Sequence, residues 1–88
     1  MKLIEGAIYK TKVGLFTRKY REESRLGAML DKNCHVYYDQ KVEQGYVFGC
    51  FAPLQGLYVI VPEQWLDENL ELVDEVNLVP KINIRESI

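Results

Sequence analysis

The sequence predicts a mainly-β domain, and three observations carry that reading. Glycine and proline recur so often before residue 62 that no long helix fits. Between these breaks the apolar residues repeat with a period nearer two than 3.6. The runs themselves are rich in β-branched and aromatic residues, as in C-H-V-Y-Y-D (34–39) and L-Y-V-I-V (57–61).

The elements follow in order. A-I-Y-K-T-K-V-G-L-F (7–16) alternates and reads as a first strand. T-R-K-Y-R-E-E-S-R-L-G (17–27) is polar, charged and closed by glycine, so it reads as a long hairpin loop with its cations in solvent. C-H-V-Y-Y-D and Y-V-F-G-C-F (46–51), separated by the polar Q-K-V-E-Q-G (40–45), make a hairpin. A-P-L-Q-G (52–56) turns the chain into L-Y-V-I-V, an apolar run suited to a central strand that Pro62 ends. Beyond it, Trp65, Leu66, Asn69, Leu70, Val73 and Val76 recur at helical spacing, with acids in the first turn as a helix N-terminus favours. A short helix near residues 63–69 is expected, with a return to strand over L-E-L-V-D-E-V (70–76). The expected domain is 1–79, and 80–88 is a tail or an added edge strand using Ile82 and Ile84.

Register decides which faces these strands present. If residues 39–44 loop, Cys34 opposes Gly49, and Cys34, Val36, Val47, Gly49 and Phe51 share one apolar face. Tyr37, Tyr46 and Phe48 then form an aromatic row on the other face, and the two cysteines lie on opposite sides of the sheet. A one-residue slip would bring them together.

At 88 residues, 48% apolar and 27% charged, the chain is one domain near the size where a single core only just suffices. No run approaches the ~18 apolar residues of a membrane span and no signal-peptide pattern opens the sequence, so the expected location is cytoplasmic. Two cysteines without a CxxC spacing read as reduced thiols. The net charge of −2 hides a polarity. Lys10, Lys12, Arg18, Lys19, Arg21 and Arg25 dominate one stretch, whereas 63–75 carries Glu63, Asp67, Glu68, Glu71, Asp74 and Glu75 with no cation.

Chemistry is poorly represented. Cys34 and His35 adjoin, but neighbours on a strand point to opposite faces, so imidazole and thiol do not meet as base and nucleophile. The spacing C-H-x14-C lacks the close ligand pairs of structural zinc sites, and no glycine-rich phosphate loop occurs. No catalytic residue, metal or cofactor is expected.

Three short motifs resemble the Src homology 3 (SH3) small barrel. A-I-Y-K-T (7–11) is similar to that family's opening A-L-Y-D-Y, without the second tyrosine; Y-V-F-G (46–49) resembles its W-W-K-G; and P-E-Q-W-L (62–66) resembles P-S-N-Y-V. The resemblance implies a small barrel of about five antiparallel strands in which Tyr9, Tyr46, Pro62 and Trp65 converge on a groove for extended peptides. The long first loop departs from the pattern. It is acidic in that family and basic here, so an acidic segment is the better-matched partner.

The expected function is that of a stand-alone, non-catalytic protein-binding module, an adaptor, inhibitor or small regulator. Its expected contacts are Tyr9, Tyr46, Phe48, Pro62 and Trp65 in the groove with Arg18, Lys19, Arg21 and Arg25 in the loop. A phage or mobile-element modulator of a host protein would suit such a chain. The alternative is a nucleic-acid-binding barrel in which the loop cations hold phosphates and the exposed aromatics stack on bases, although the overall acidity opposes it.

Overall fold

In a computed structural model the chain forms β1 (Ile8–Thr11), β2 (Leu15–Lys19), β3 (Glu22–Leu30), β4 (His35–Val42), β5 (Gly45–Cys50) and β6 (Leu57–Val61). A 3-10 turn (Glu63–Trp65) and one turn of helix, α1 (Leu66–Asn69), then lead into β7 (Leu70–Asp74). The structure describes residues 1, 3–19 and 22–74, with side chains described outside 19–28. These strands pair antiparallel in the order β3-β2-β6-β5-β4-β1-β7, one sheet curled into a half-barrel. The mainly-β class, the short helix near 63–69 and the return to strand all stand; the expected boundaries of 79 and 80–88 lie outside the described residues.

Two expectations about the first half are corrected. The segment 7–16 is not one strand, because it bends at residues 12–14, where the Lys12 amide donates to the Asn69 carbonyl (2.7 Å). The basic 17–27 stretch is not a loop but most of a hairpin, with Phe16 opposite Met29 and Arg18 opposite Leu26. Five strands therefore become seven. The physical reason is that β3 is an end strand of the sheet, where charged residues are tolerated and even favoured, so composition alone imitates a loop.

The hairpin register is corrected as well. β4 and β5 are joined by the two-residue turn Glu43–Gln44, and Val36 faces Cys50, Tyr37 faces Gly49, and Tyr38 faces Phe48. A bulge follows, for Gln40 already faces Val47, leaving Asp39 as the extra residue. Because successive side chains alternate, this pairing exchanges the faces expected for Val47 and Phe48. Phe48, Val36 and Cys50 enter the main core with Ala7, Tyr9, Leu30, Val59, Val61, Leu66 and Leu70. Val47 instead packs with Val42 and Tyr58 in a smaller cluster. The cysteines are free, but not because the sheet separates them: Cys50 is buried in the main core and Cys34 packs against it.

Thr11 locks the first strand to the turn before β4. Its hydroxyl donates to the Asp31 carbonyl (2.8 Å) and accepts from the Cys34 amide (2.9 Å), while its own amide donates to the Cys34 carbonyl (2.9 Å). Asn33 completes that turn at φ 65°, a left-handed conformation that Asn tolerates better than most residues.

Gly45 is required by both conformation and space. At φ 152°, an added Cβ would lie 2.6 Å from the Val61 carbonyl oxygen and 3.0 Å from Pro62 Cα, both backbone atoms that cannot swing aside. Gly56 also has positive φ, 91°, but open space around it. Gly56→Ala should cost about 1 kcal/mol of conformational strain, and Gly45→Ala about 3 kcal/mol because steric displacement is added. Equal denaturation midpoints for the two variants would contradict this packing of β5 on the end of β6.

Burial, and then the neighbouring Cys34, push the Cys50 thiol from its ordinary 9.0 up to about 11. Above the ordinary value the unfolded chain releases that proton while the folded chain retains it. The stabilising contribution is therefore complete below pH 9 and is lost as pH rises through about 11. Stability should decline more steeply over this window in the wild type than in Cys50→Ala, measured by urea denaturation at each pH. Parallel profiles would remove the buried thiol as a cause.

Candidate functional site

An aromatic chain leads from the core to the surface. Tyr9 and Phe48 meet edge to face with ring centroids 5.5 Å apart, Phe48 meets Tyr38 at 5.5 Å, and Tyr38 meets Tyr46 at 5.9 Å. The bulge at Asp39 makes this possible. It leaves Tyr38 on the same side as Phe48 while the rest of β4 turns its side chains over, so that Lys41 comes opposite Tyr46 with its ammonium 5.5 Å from the ring centre. Asp39 itself is buried and accepts a hydrogen bond from the Gln40 side-chain amide (2.6 Å).

The outer end of the chain opens into a cleft of about 600 Å³. Tyr38, Tyr46, Glu63, Gln64, Leu66 and Asp67 form most of its wall, with Met1 and Leu3 completing it. The wall is built by β4, β5 and the turn after β6. Pro62 ends β6 in an extended conformation and its carbonyl accepts the Trp65 amide (3.0 Å), which closes the 3-10 turn and turns Glu63 toward Tyr46. The Tyr46 hydroxyl then donates to Glu63 Oε1 at 3.4 Å, a long bond on an exposed edge. The Met1 ammonium, also at the cleft, lies 3.2 Å from Asp67 Oδ1. Burial foremost, and then the nearby phenol of Tyr46, which ionises in the same alkaline range, and the carboxylates of Glu5 and Asp39, raise the Tyr38 hydroxyl above its ordinary 10.0.

The expected contact residues divide. Tyr46 and Pro62 are half-buried and Trp65 is 46% exposed, so these three remain available at the surface. Tyr9 and Phe48 do not: each is 0% exposed, Tyr9 sealed further by the Ile4 amide donating to its hydroxyl (2.9 Å), and both act as the floor that holds the surface rings. Trp65 is not part of the cleft wall, although Gln64 and Leu66 on either side of it are.

The basic residues do not share this site. Arg18 pairs with Tyr58 and Lys19 with Leu57, at the start of β6, whereas Tyr46 pairs with Val61 at its end. Three residues of strand separate the two positions, roughly 10 Å. Arg21 lies outside the described residues, and Arg25 belongs to β3 on the outer side of β2. The expected groove and the expected basic segment thus lie apart, an aromatic cleft at one end of β6 and the hairpin of β2 and β3 paired at the other.

Tyr38, Gln64 and Asp67 were missed by sequence reasoning. Strict alternation hides Tyr38, and its one signal is the polar Asp39–Gln40 pair that follows the apolar run V-Y-Y within β4. A second cleft of about 550 Å³ is bordered by Ile8, Leu30, Phe51 and Leu54 together with Cys34 and His35. There Cys34 packs against the core while His35 is exposed. Among the described residues no group of three or more His, Cys, Asp or Glu is placed to hold a metal ion.

Because nearly half of Trp65 is in solvent, Trp65→Ala should lower stability by only ~1 kcal/mol, against ~3–5 for a fully buried indole. Iodide should quench its fluorescence in the folded protein. Loss of cooperative unfolding in that variant, with an unquenched indole in the wild type, would make Trp65 a core residue.

Comparison of the chain with family models, with curated proteins and with solved structures finds no match, so function is argued from this geometry alone.

Proposed function

We propose that the domain is a non-catalytic protein-binding module whose partner docks on the face carrying Tyr46, Pro62 and Trp65 and enters the adjoining cleft. The observation that carries this reading is an exposed tryptophan beside a cleft walled by two tyrosines in contact, the only tryptophan in the chain placed at the surface rather than in the core. Large aromatic groups left in solvent at the rim of a concavity are characteristic of interface hot spots.

The finer fold reading, a small barrel similar to SH3 domains, belongs with this proposal. The positions of its three motifs support it: A-I-Y-K-T runs into β1, Y-V-F-G falls in β5, and P-E-Q-W-L forms the turn that leads to β7, which pairs with β1. The hairpin of β2 and β3 occupies the place of the long first loop. It differs in pairing β2 with β6, which draws its cations away from the cleft.

The test is capture from the native cell with tagged wild type, Tyr46→Ala and Trp65→Ala, each first checked for an unchanged fold. A partner retained by the wild type and lost from both variants, with affinity falling about thirtyfold or more in each, supports the reading. Binding to single- or double-stranded nucleic acid with a steep salt dependence that Arg18→Ala and Lys19→Ala flatten would replace it with the nucleic-acid function.

A further inference from the structure

We infer that the second cleft, of about 550 Å³ and bordered by Ile8, Leu30 and Leu54, is the docking site of the chain's own C-terminal segment 76–84. This cleft shares no residue with the aromatic one, so the inference stands apart from the protein-binding reading. It lies in the seam of the half-barrel: Leu30 comes from β3, and Val73 and Asp74 come from β7, the two end strands of the sheet. Ile8 and Leu54 are only half-buried and Val73 is 49% exposed. The described residues thus leave apolar surface uncovered where the two ends of the sheet approach each other.

The occupant is indicated by where the chain goes. Asp74 both ends β7 and borders the cleft, and residues 75–88, which lie outside the described residues, follow directly from it. Within them V-N-L-V-P-K-I-N-I (76–84) sets Val76, Leu78, Pro80, Ile82 and Ile84 at every second position, with Asn77, Lys81 and Asn83 among the residues between. Side chains two apart share one face of an extended chain, so such a segment has one wholly apolar face to cover. Pro80 opposes a helix there and favours extended backbone at Val79. The competing occupants are an apolar segment of a partner and the same segment of a second copy. Tethering at the cleft rim decides against both, because a short linker holds its own segment at a roughly millimolar effective concentration.

The experiment uses the full chain with labelled Ile, Leu and Val methyl groups and reads nuclear Overhauser effects between them. It also measures modification by N-ethylmaleimide of Cys34, which borders the same cleft, the modified cysteine being identified by mass spectrometry. Overhauser effects from Ile82 or Ile84 to Ile8, Leu30 or Leu54 are expected, at a strength independent of protein concentration. Ile82→Asp combined with Ile84→Asp, with cooperative unfolding retained, should speed modification of Cys34 about tenfold, whereas Ser87→Asp should leave it unchanged. Absence of those Overhauser effects would overturn the inference, as would a Cys34 rate that the double substitution does not alter. Effects seen only between differently labelled copies and fading on dilution would overturn it as well and give the cleft to a second copy's segment. If the double variant fails to fold, the wild-type Overhauser effects decide alone.

Discussion

The contact of Tyr9 with Phe48 at the centre of the half-barrel is the interaction on which the remaining structure hangs. It joins β1 to β5, strands that are not neighbours in the sheet, and so it closes the curl that strand pairing alone would leave open. Such an edge-to-face pair adds ~0.5–1.5 kcal/mol to the burial of its rings, modest beside the burial itself, but directional. Direction matters here because Phe48 also supports Tyr38, and Tyr38 supports Tyr46. The surface rings of the cleft are therefore held from the core as well as by the surface groups Glu63 and Lys41. A partner meeting them finds side chains whose freedom has already been reduced in folding, which lowers the entropy that binding must overcome.

What the sequence made legible, and what it did not, divides along the same line. Local signals read well. Pro62 stopped a strand where expected, the helical spacing after it produced a short turn and not a long helix, and L-Y-V-I-V became an interior strand with partners on both edges. Trp65, set among acids, is exposed as its neighbours suggested. The errors arose where one residue changes the outcome of many. The bulge at Asp39 and the two-residue turn at Glu43–Gln44 reassign the faces of β4 and β5, moving Phe48 from the surface to the core and Val47 into a separate cluster. Alternation carries no mark of its own origin, so an extra residue passes unnoticed unless its chemistry is out of place. Asp39 and Gln40 were out of place, as a buried acid and its amide partner in an aromatic strand.

The hairpin of β2 and β3 illustrates a different limit. Its composition resembles a solvated loop because charged residues suit an end strand, where they discourage pairing with other chains. Its destination, alongside β6, is a non-local choice that no short window contains. This single choice also decides the electrostatics of the cleft. Had the hairpin folded toward Tyr46 and Glu63, its cations would have neutralised the acids of the turn. Placed at the other end of β6, it stays apart from them, and Asp67 is paired instead with the Met1 ammonium.

The polarity read from the sequence therefore acquires a direction in space. Charges on a domain this small lie within one or two Debye lengths of one another, roughly 8 Å each at physiological salt, so a basic hairpin close to the cleft would weaken its field substantially. A separation of some three residues along β6, roughly 10 Å, weakens much of that effect, whereas Glu63 and Asp67 both line the same concavity. Coulomb attraction at such an exposed rim is worth little by itself. Its use is in choosing between ligands that the rings would otherwise hold equally well, since Tyr38 and Tyr46 offer apolar area and π-faces to almost any extended chain. On the proposed protein-binding reading the rings would contribute most of the affinity, and the charges at the rim would add only a bias between ligands.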